Sequence, residues 1–170
     1  MFKYELELFP KSPGVYFWYC SKQGLELLGI DPNKLTIKGN KYLIYIGKDN
    51  NSLRSRLKWH WDSKVSMNQK IIDHNQFMLS TYRHSLGSLL FEYNEGEKLD
   101  RFMIEHLEVE FIITNNKQET IDVEDKFIKS TPYLPLNLKG NKNKDEFHKF
   151  LSKQRKNFKI NTIKHLAIQP

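Results

Sequence analysis

The sequence predicts one mixed α/β (α+β) domain, in which short strands and amphipathic helices share a single core. Three observations carry that expectation. The runs Gly14–Cys20, Tyr42–Gly47 and Leu107–Thr114 are rich in β-branched and aromatic residues, the composition of strands. Between and after them, apolar residues recur at three- and four-residue intervals, the period of a helix packed on one face. A chain of 170 residues with 39% hydrophobic and 13% aromatic side chains can bury one core and is too apolar to stay disordered.

Residues 1–12 read as a lead-in, with Pro10 and Pro13 framing a turn before the first strand. Gly24, Gly29, Pro32 and Gly39 make 21–40 a long connection, with a short helical turn near Leu25–Leu28. The second strand breaks at Lys48-Asp49-Asn50-Asn51, and a helix resumes with Asn51 or Ser52 as its N-cap. Leu53, Leu57 and Trp61 mark the buried stripe of that helix, while Arg56 and His60 stand one turn apart on a neighbouring face. A strand delivering Tyr45 and Gly47 to a turn, followed by a helix presenting Arg56 and His60, suits an anion site. A plain strand-turn-helix unit with a solvated charged face has the same pattern.

Residues 64–80 show no firm period, although Ile71, Ile72, Phe77, Met78 and Leu79 imply packing. Ser80–Phe91 reads as a helix, with Tyr82, Leu86, Leu89 and Leu90 apolar and Arg83 and His84 alongside. Glu92–Asp100 reads as a charged turn around Gly96. After the third strand, Gln118–Thr131 is a helix ended by Pro132. Tyr133–Asn141 is extended, and Lys144–Phe158 is a basic amphipathic helix with Phe147, Phe150 and Leu151 inward.

Charge is unevenly placed. The net charge is +7, and Lys139–Pro170 holds nine Lys/Arg against two Asp/Glu, so this tail carries the whole excess. Within the remainder, 48–86 is basic and 92–110 acidic. A basic arm and strip opposite an acidic back point to a polyanion partner, although basic surfaces also serve solubility. No apolar run approaches the roughly 20 residues of a membrane span. Met1–Glu5 lacks a secretory layout, and the single Cys20 forms no internal disulfide and no metal cluster. These features predict a cytoplasmic protein with no membrane partner.

In the helix at 118–131 the apolar stripe runs Ile121, then Phe127 and Ile128, with Glu124 between them on that face. A carboxylate within an apolar stripe loses hydration unless a cation or hydrogen bond compensates. Glu124 is therefore a candidate ligand for a hard divalent metal, or else sits at the stripe's edge and reaches water.

Taken in order, these residues add up to a pattern: Gly14-Val15-Tyr16, Tyr45-Ile46-Gly47, Leu53-Arg54-Ser55-Arg56 with His60, Glu124-Asp125-Lys126-Phe127-Ile128-Lys129, and Leu136-Asn137. The set resembles the GIY-YIG nuclease superfamily, which includes phage homing endonucleases, the incision subunit of bacterial nucleotide-excision repair, some restriction enzymes and structure-selective nucleases. The resemblance implies a small three-stranded antiparallel sheet flanked by helices, cutting phosphodiester bonds of DNA with one divalent ion, Mg2+ or Mn2+. The expected organisation is a nuclease domain at 1–140 and a basic helical extension at 141–170 that packs on or beside it, with the Lys139–Pro170 arm gripping backbone phosphates. By the same resemblance Tyr16 helps activate the attacking water, Tyr45 partners it at the phosphate, and Arg56 neutralises charge on that phosphate. His60 assists proton transfer and Glu124 holds the metal. Lys48, Arg54 and Asn137 are expected to support or contact nucleic acid.

A tyrosine is a poor base at its ordinary pKa of about 10. It works only where nearby cations favour the phenolate or where His60 relays its proton. Two departures from the family stand out. The gap between Tyr16 and Tyr45 is long, so 21–40 reads as an insertion, and 64–91 has no clear counterpart. Arg83 and His84 in that second segment are candidate substrate contacts, with a solvated helix face as the alternative. Beside the endonuclease reading stand an inactive nucleic-acid-binding module on the same fold, a repair nuclease subunit that needs a partner, and an interaction protein docking through 92–110.

Overall fold

The computed structural model describes residues 7–61 and 80–168. At its centre is an antiparallel sheet in the order β2-β3-β1-β4, formed by β1 (Gly14–Ser21), β2 (Ile37–Lys38), β3 (Lys41–Asp49) and β4 (Leu107–Ile113). The three strands read from the sequence are its body. The fourth, β2, is two residues long and pairs with the start of β3, Ile37 opposite Tyr42 and Lys38 opposite Lys41. Segment 21–40 thus supplies a helix, α1 (Lys22–Leu28), a 3-10 turn (Pro32–Lys34) and a short hairpin edge. Beyond Tyr42 loop backbone meets the outer edge of β3, Leu43 N donating to the Thr36 carbonyl and Leu136 N to the Ile44 carbonyl.

The two faces of β1 alternate as a strand requires. Tyr16, Trp18 and Cys20 face the larger core, and Val15 and Phe17 face the smaller one. On β3 the alternation is interrupted. Trp18 pairs with Tyr45 and Tyr19 with Leu43, so Ile44 is the extra residue of a bulge. Ile44 and Tyr45 consequently both turn to the larger core, while Leu43 and Ile46 serve the smaller. The bulge puts Tyr45 and Gly47 on the same face as Tyr16.

The larger core is closed by α1, α2 (Leu53–Trp61), α3 (Thr81–Leu90), α4 (Gly96–His106) and α6 (Glu146–Ile168), through Leu25, Leu57, Leu86, Met103 and Leu151 among others. The smaller core is closed by α5 (Lys117–Ser130), whose Phe127 meets Phe17 edge-on at 4.8 Å between ring centroids. Each start has its local cause. Ser52 Oγ accepts from Ser55 N at the start of α2, Ser80 Oγ from Arg83 N at α3, and Asn116 Oδ1 from Glu119 N at α5. No described helix is long and apolar enough to cross a membrane.

The structure corrects the sequence reading at four places. The charged turn expected at Glu92–Asp100 is in part α4, which begins at Gly96 and buries Leu99, Phe102 and Met103 at helical spacing. The basic helix starts at Glu146 and runs to Ile168, ten residues past Phe158. Polar contacts to the 92–94 loop hold that extension. Asn94 N donates to Thr162 Oγ1, Asn161 to the Glu92 carbonyl, and the rings of Tyr93 and His165 stack at 3.9 Å. Phe150, expected to face inward, is 47% exposed, while Leu151 and Phe158 take the core. The stripe of α2 is Leu53, Leu57 and His60, with Trp61 only half-buried. The packing expected of Ile71, Ile72, Phe77, Met78 and Leu79 lies outside the described residues.

Gly14 is where the sheet admits α2. A Cβ there would stand 2.6 Å from Leu53 Cδ1 and collide with the Ile112 carbonyl oxygen on β4. One neighbour is backbone and cannot swing away. Gly14→Ala is expected to destabilise the fold by about 1–3 kcal/mol, the usual range for overpacking, read as a lower urea midpoint at unchanged slope.

Candidate active site

Tyr16 lies near the start of β1, opposite Gly47 of β3. Its ring reaches across that position: a Cβ on residue 47 would sit 2.5 Å from both Tyr16 Cζ and Oη. Glycine at 47 is therefore the condition for the phenol to reach beyond β3's backbone. There Oη meets His60 Nε2 at 2.7 Å. His60 is 2% exposed because it occupies the i+7 position of the α2 stripe from Leu53. On its other side, His60 Nδ1 is 2.8 Å from Ser80 Oγ, the cap of α3. With Nδ1–H donating to Ser80, Nε2 is free to accept the Tyr16 proton.

Electrostatics set this pair's resting state. Burial first, then Tyr45, Glu124 and Asp49, raise the Tyr16 hydroxyl well above the ordinary phenol value, outweighing the opposite pull of Arg56. Burial lowers the His60 imidazole to about 3, helped by the charges of Arg56 and Arg83. Both groups are therefore neutral at pH 7. Tyr45 follows the same pattern, pushed up to about 12 by burial and then by Glu124. Its ring lies 6.3 Å from that of Tyr16 and 5.0 Å from that of Tyr82.

Around these neutral groups stands a charged rim. Asp49 organises one half of it: Oδ1 accepts from Asn51 N and Ser52 N, making the turn, and Oδ2 accepts from Arg56 Nε at 3.0 Å. The Arg56 guanidinium also lies 5.0 Å over the Trp59 ring. In the other half, Lys48 on β3 pairs with Glu124 on α5. Arg56 and Lys48 keep about a third of their side-chain surface in water (32% and 28%), so the rim opens outward.

Glu124 is where a metal could bind. Its carboxylate is 15% exposed and held by one displaceable cation, and among the described residues no group of three or more His, Cys, Asp or Glu converges. A single hard oxygen ligand fits Mg2+ or Mn2+, which keep water and take further oxygens from substrate phosphate. It does not fit zinc, which needs three or four protein ligands.

The structure thus brings Tyr16, Tyr45, Lys48, Arg56, His60 and Glu124 together around one end of β3. It does not bring four other candidates to that rim. Arg83 is 1% exposed, and its guanidinium donates to the His60 carbonyl, to Asp100 Oδ1 at 2.7 Å and to the Gly96 carbonyl. It is a core arginine that ties α4 to the back of His60, because helix α3 packs with that face inward. Arg54 is committed to the lead-in, donating to Glu7 and to the carbonyls of Glu7 and Phe9. His84 is committed to α6, donating from Nε2 to the Arg155 carbonyl. Asn137 is buried and clamps β3: Oδ1 accepts from Ile46 N at 3.0 Å and Nδ2 donates to the Ile46 carbonyl at 2.7 Å. With Leu136 N donating to the Ile44 carbonyl, it covers the strand edge that β2 does not reach.

Three members of the site escaped the sequence reading. Asp49 was visible as a turn residue, and its seven-residue separation from Arg56 was the only hint of an ion pair. Ser80 follows the α3 cap signature, but nothing local places it on His60. Tyr82 looks like an ordinary helix-stripe residue and in fact stacks on Trp18 at 4.8 Å, behind the phenols.

A family model described as the GIY-YIG catalytic domain matches residues 14–157. The match runs from the start of β1 to the middle of α6 and includes 21–40. No curated protein and no solved structure matches the chain.

His60 gives folding a specific pH dependence. Unfolded, the imidazole takes a proton near its ordinary pKa of about 6.5. Folded, it resists until about pH 3. Stability is therefore untouched above roughly pH 6.5 and falls as pH drops toward that folded value, by about 2 kcal/mol at pH 5. Urea unfolding at neutral pH and at about pH 5 is expected to show this loss in the wild type. His60→Gln should lose less by that amount, the remaining loss coming from His84, which burial and Arg155 lower to about 4.

Proposed function

The chain belongs to the GIY-YIG catalytic-domain family, and from that premise we propose that it is a divalent-metal-dependent endonuclease hydrolysing DNA phosphodiester bonds. A nuclease-type function follows from the family. The observation that carries the finer reading is the buried Tyr16–His60 hydrogen bond, facing a rim whose cations are held in displaceable pairs.

In this reading a backbone phosphate enters the rim and competes with the carboxylates for its cations. Arg56 shares its guanidinium between Asp49 and the scissile phosphate, matching the charge that grows on the non-bridging oxygens. Lys48 leaves Glu124 for phosphate, which frees the carboxylate. Glu124 would then hold Mg2+ or Mn2+, and the ion when bound would neutralise phosphate charge and make water more acidic.

The proton path runs inward. As the water oxygen attacks phosphorus, its proton passes to Tyr16 Oη while the Tyr16 proton moves to His60 Nε2. No free phenolate accumulates, which matters because burial disfavours it. The resulting imidazolium keeps its Nδ1–H on Ser80 Oγ. A phosphate anion on Arg56 cancels part of the charge that depresses the imidazole, so substrate binding itself raises the proton affinity of His60. The phosphorus–oxygen ester bond breaks, and the leaving oxygen takes its proton from solvent at the open rim.

Cleavage of supercoiled plasmid tests the reading. Wild type should nick or cut in Mg2+ or Mn2+ and stop in chelator. Arg56→Ala should lose at least about 100-fold in rate, the scale of removing one charge-stabilising donor. Glu124→Gln should lose metal-dependent cleavage yet bind DNA in chelator at least as tightly as wild type, since it frees Lys48 for phosphate. A wild type that binds DNA and cuts with neither ion overturns the enzyme reading and leaves the binding module.

A further inference from the structure

Helix α6 carries an arginine within its buried stripe. His148, Leu151, Arg155, Phe158 and Thr162 follow at three- and four-residue steps, and all but Arg155 are fully buried. Arg155 is half-buried, and its Nε is shut from water with no hydrogen-bond partner. Among the described residues no carboxylate pairs with it, whereas Arg54, Arg56 and Arg83 pair with Glu7, Asp49 and Asp100. A half-buried guanidinium with unused donors and no counter-charge is expensive to maintain unless an anion completes it.

The neighbourhood holds Arg155 in place. His84 on α3 is 2.8 Å from the Arg155 carbonyl through Nε2, and a carbonyl can only accept. The ring proton is therefore on Nε2, and Nδ1, 3.4 Å from Arg155 Nη2, presents its lone pair to the guanidinium. Helices α3 and α6 approach closely enough for this because position 87 is glycine, where a Cβ would lie 2.8 Å from Phe158 Cζ. The same α3 carries Tyr82, in ring contact with Tyr45. The Arg155 charge reaches Tyr45 as well, where it opposes the upward push of burial.

We propose that Arg155 is a second phosphate-binding residue of the active centre, taking a DNA backbone phosphate beside the scissile one on the Tyr45 side, opposite Arg56. The proposal rests on the nuclease reading and gives α6 a different part from a general basic grip. Lys153, exposed two positions earlier on the same helix, carries the same charge without that burial. Arg155 instead orients the phosphate chain over the phenols, with the planar fork that phosphate recognition favours.

The test compares Arg155→Gln, Arg155→Lys and Lys153→Gln with wild type. Single-turnover cleavage is followed at saturating enzyme, and metal-free duplex binding over a series of salt concentrations. Arg155→Gln is expected to slow saturated cleavage about 10- to 100-fold, with a salt slope shallower by about one unit, the signature of one lost phosphate contact. Arg155→Lys keeps the wild-type slope, which a purely structural role would not require. Lys153→Gln cleaves at the wild-type rate once saturated. If Arg155→Gln cleaves and binds like wild type, or if Lys153→Gln slows saturated cleavage as much, the Arg155 assignment fails and the nuclease reading stands. A wild type that neither binds nor cuts DNA overturns both. Should Arg155→Gln fail to fold, Arg155→Lys decides alone: a slope shallower by one unit overturns the assignment.

Discussion

The passage of the Tyr16 ring over Gly47 is the constraint on which the rest of the site depends. It brings a phenol from the central strand past the backbone of its neighbour to a histidine on a helix, and three further features follow. The helix must enter close to β1, which Gly14 permits. It must turn His60 inward, which the Leu53–Leu57–His60 stripe does. The far side of the imidazole must find a polar partner, which the cap of α3 provides through Ser80. Loss of any one would leave a buried hydroxyl or imidazole nitrogen unsatisfied, at about 1–3 kcal/mol each.

Around that neutral interior the charges are arranged in pairs. Asp49 with Arg56, and Glu124 with Lys48, keep the rim balanced in the absence of substrate. The same arrangement suits it to exchange partners, because each cation sits at the water boundary where pairing is weak. Arg83 with Asp100 is the contrasting case: the arginine is buried and its hydrogen bond to His60 is to the backbone carbonyl. One residue type thus serves two purposes, decided by whether its helix face meets solvent or core.

The outer edge of β3 is completed from far along the chain. Leu136 N donates to the Ile44 carbonyl, and the Asn137 side chain satisfies the Ile46 amide and carbonyl together. On the other flank α6 packs against α3, setting Arg155 and His84 against each other across that contact. The basic helix is thereby part of the body of the molecule, with Leu151, Phe158 and Thr162 buried.

By itself the sequence determined the class of fold, the three long strands, the helices α2, α3 and α5 to within a residue or two, and the family pattern of Tyr16, Tyr45, Arg56, His60 and Glu124. Those features are local: strand composition, helical period and short motifs are written within one element. Only the tertiary structure decided which polar residues face the rim and which face the core. Arg54, Arg83 and Asn137 are chemically suited to bind phosphate, but their partners lie 47, 17 and 91 positions away in the chain, beyond any local pattern. Helix α4 and the far half of α6 differ, since Leu99, Phe102 and Met103, and Ile160, Ile163 and Leu166, recur at helical spacing within the segment itself. The bulge at Ile44 is the smallest such decision. One extra residue in a ladder shifts every side chain after it to the opposite face, and here it puts Tyr45 and Gly47 beside Tyr16.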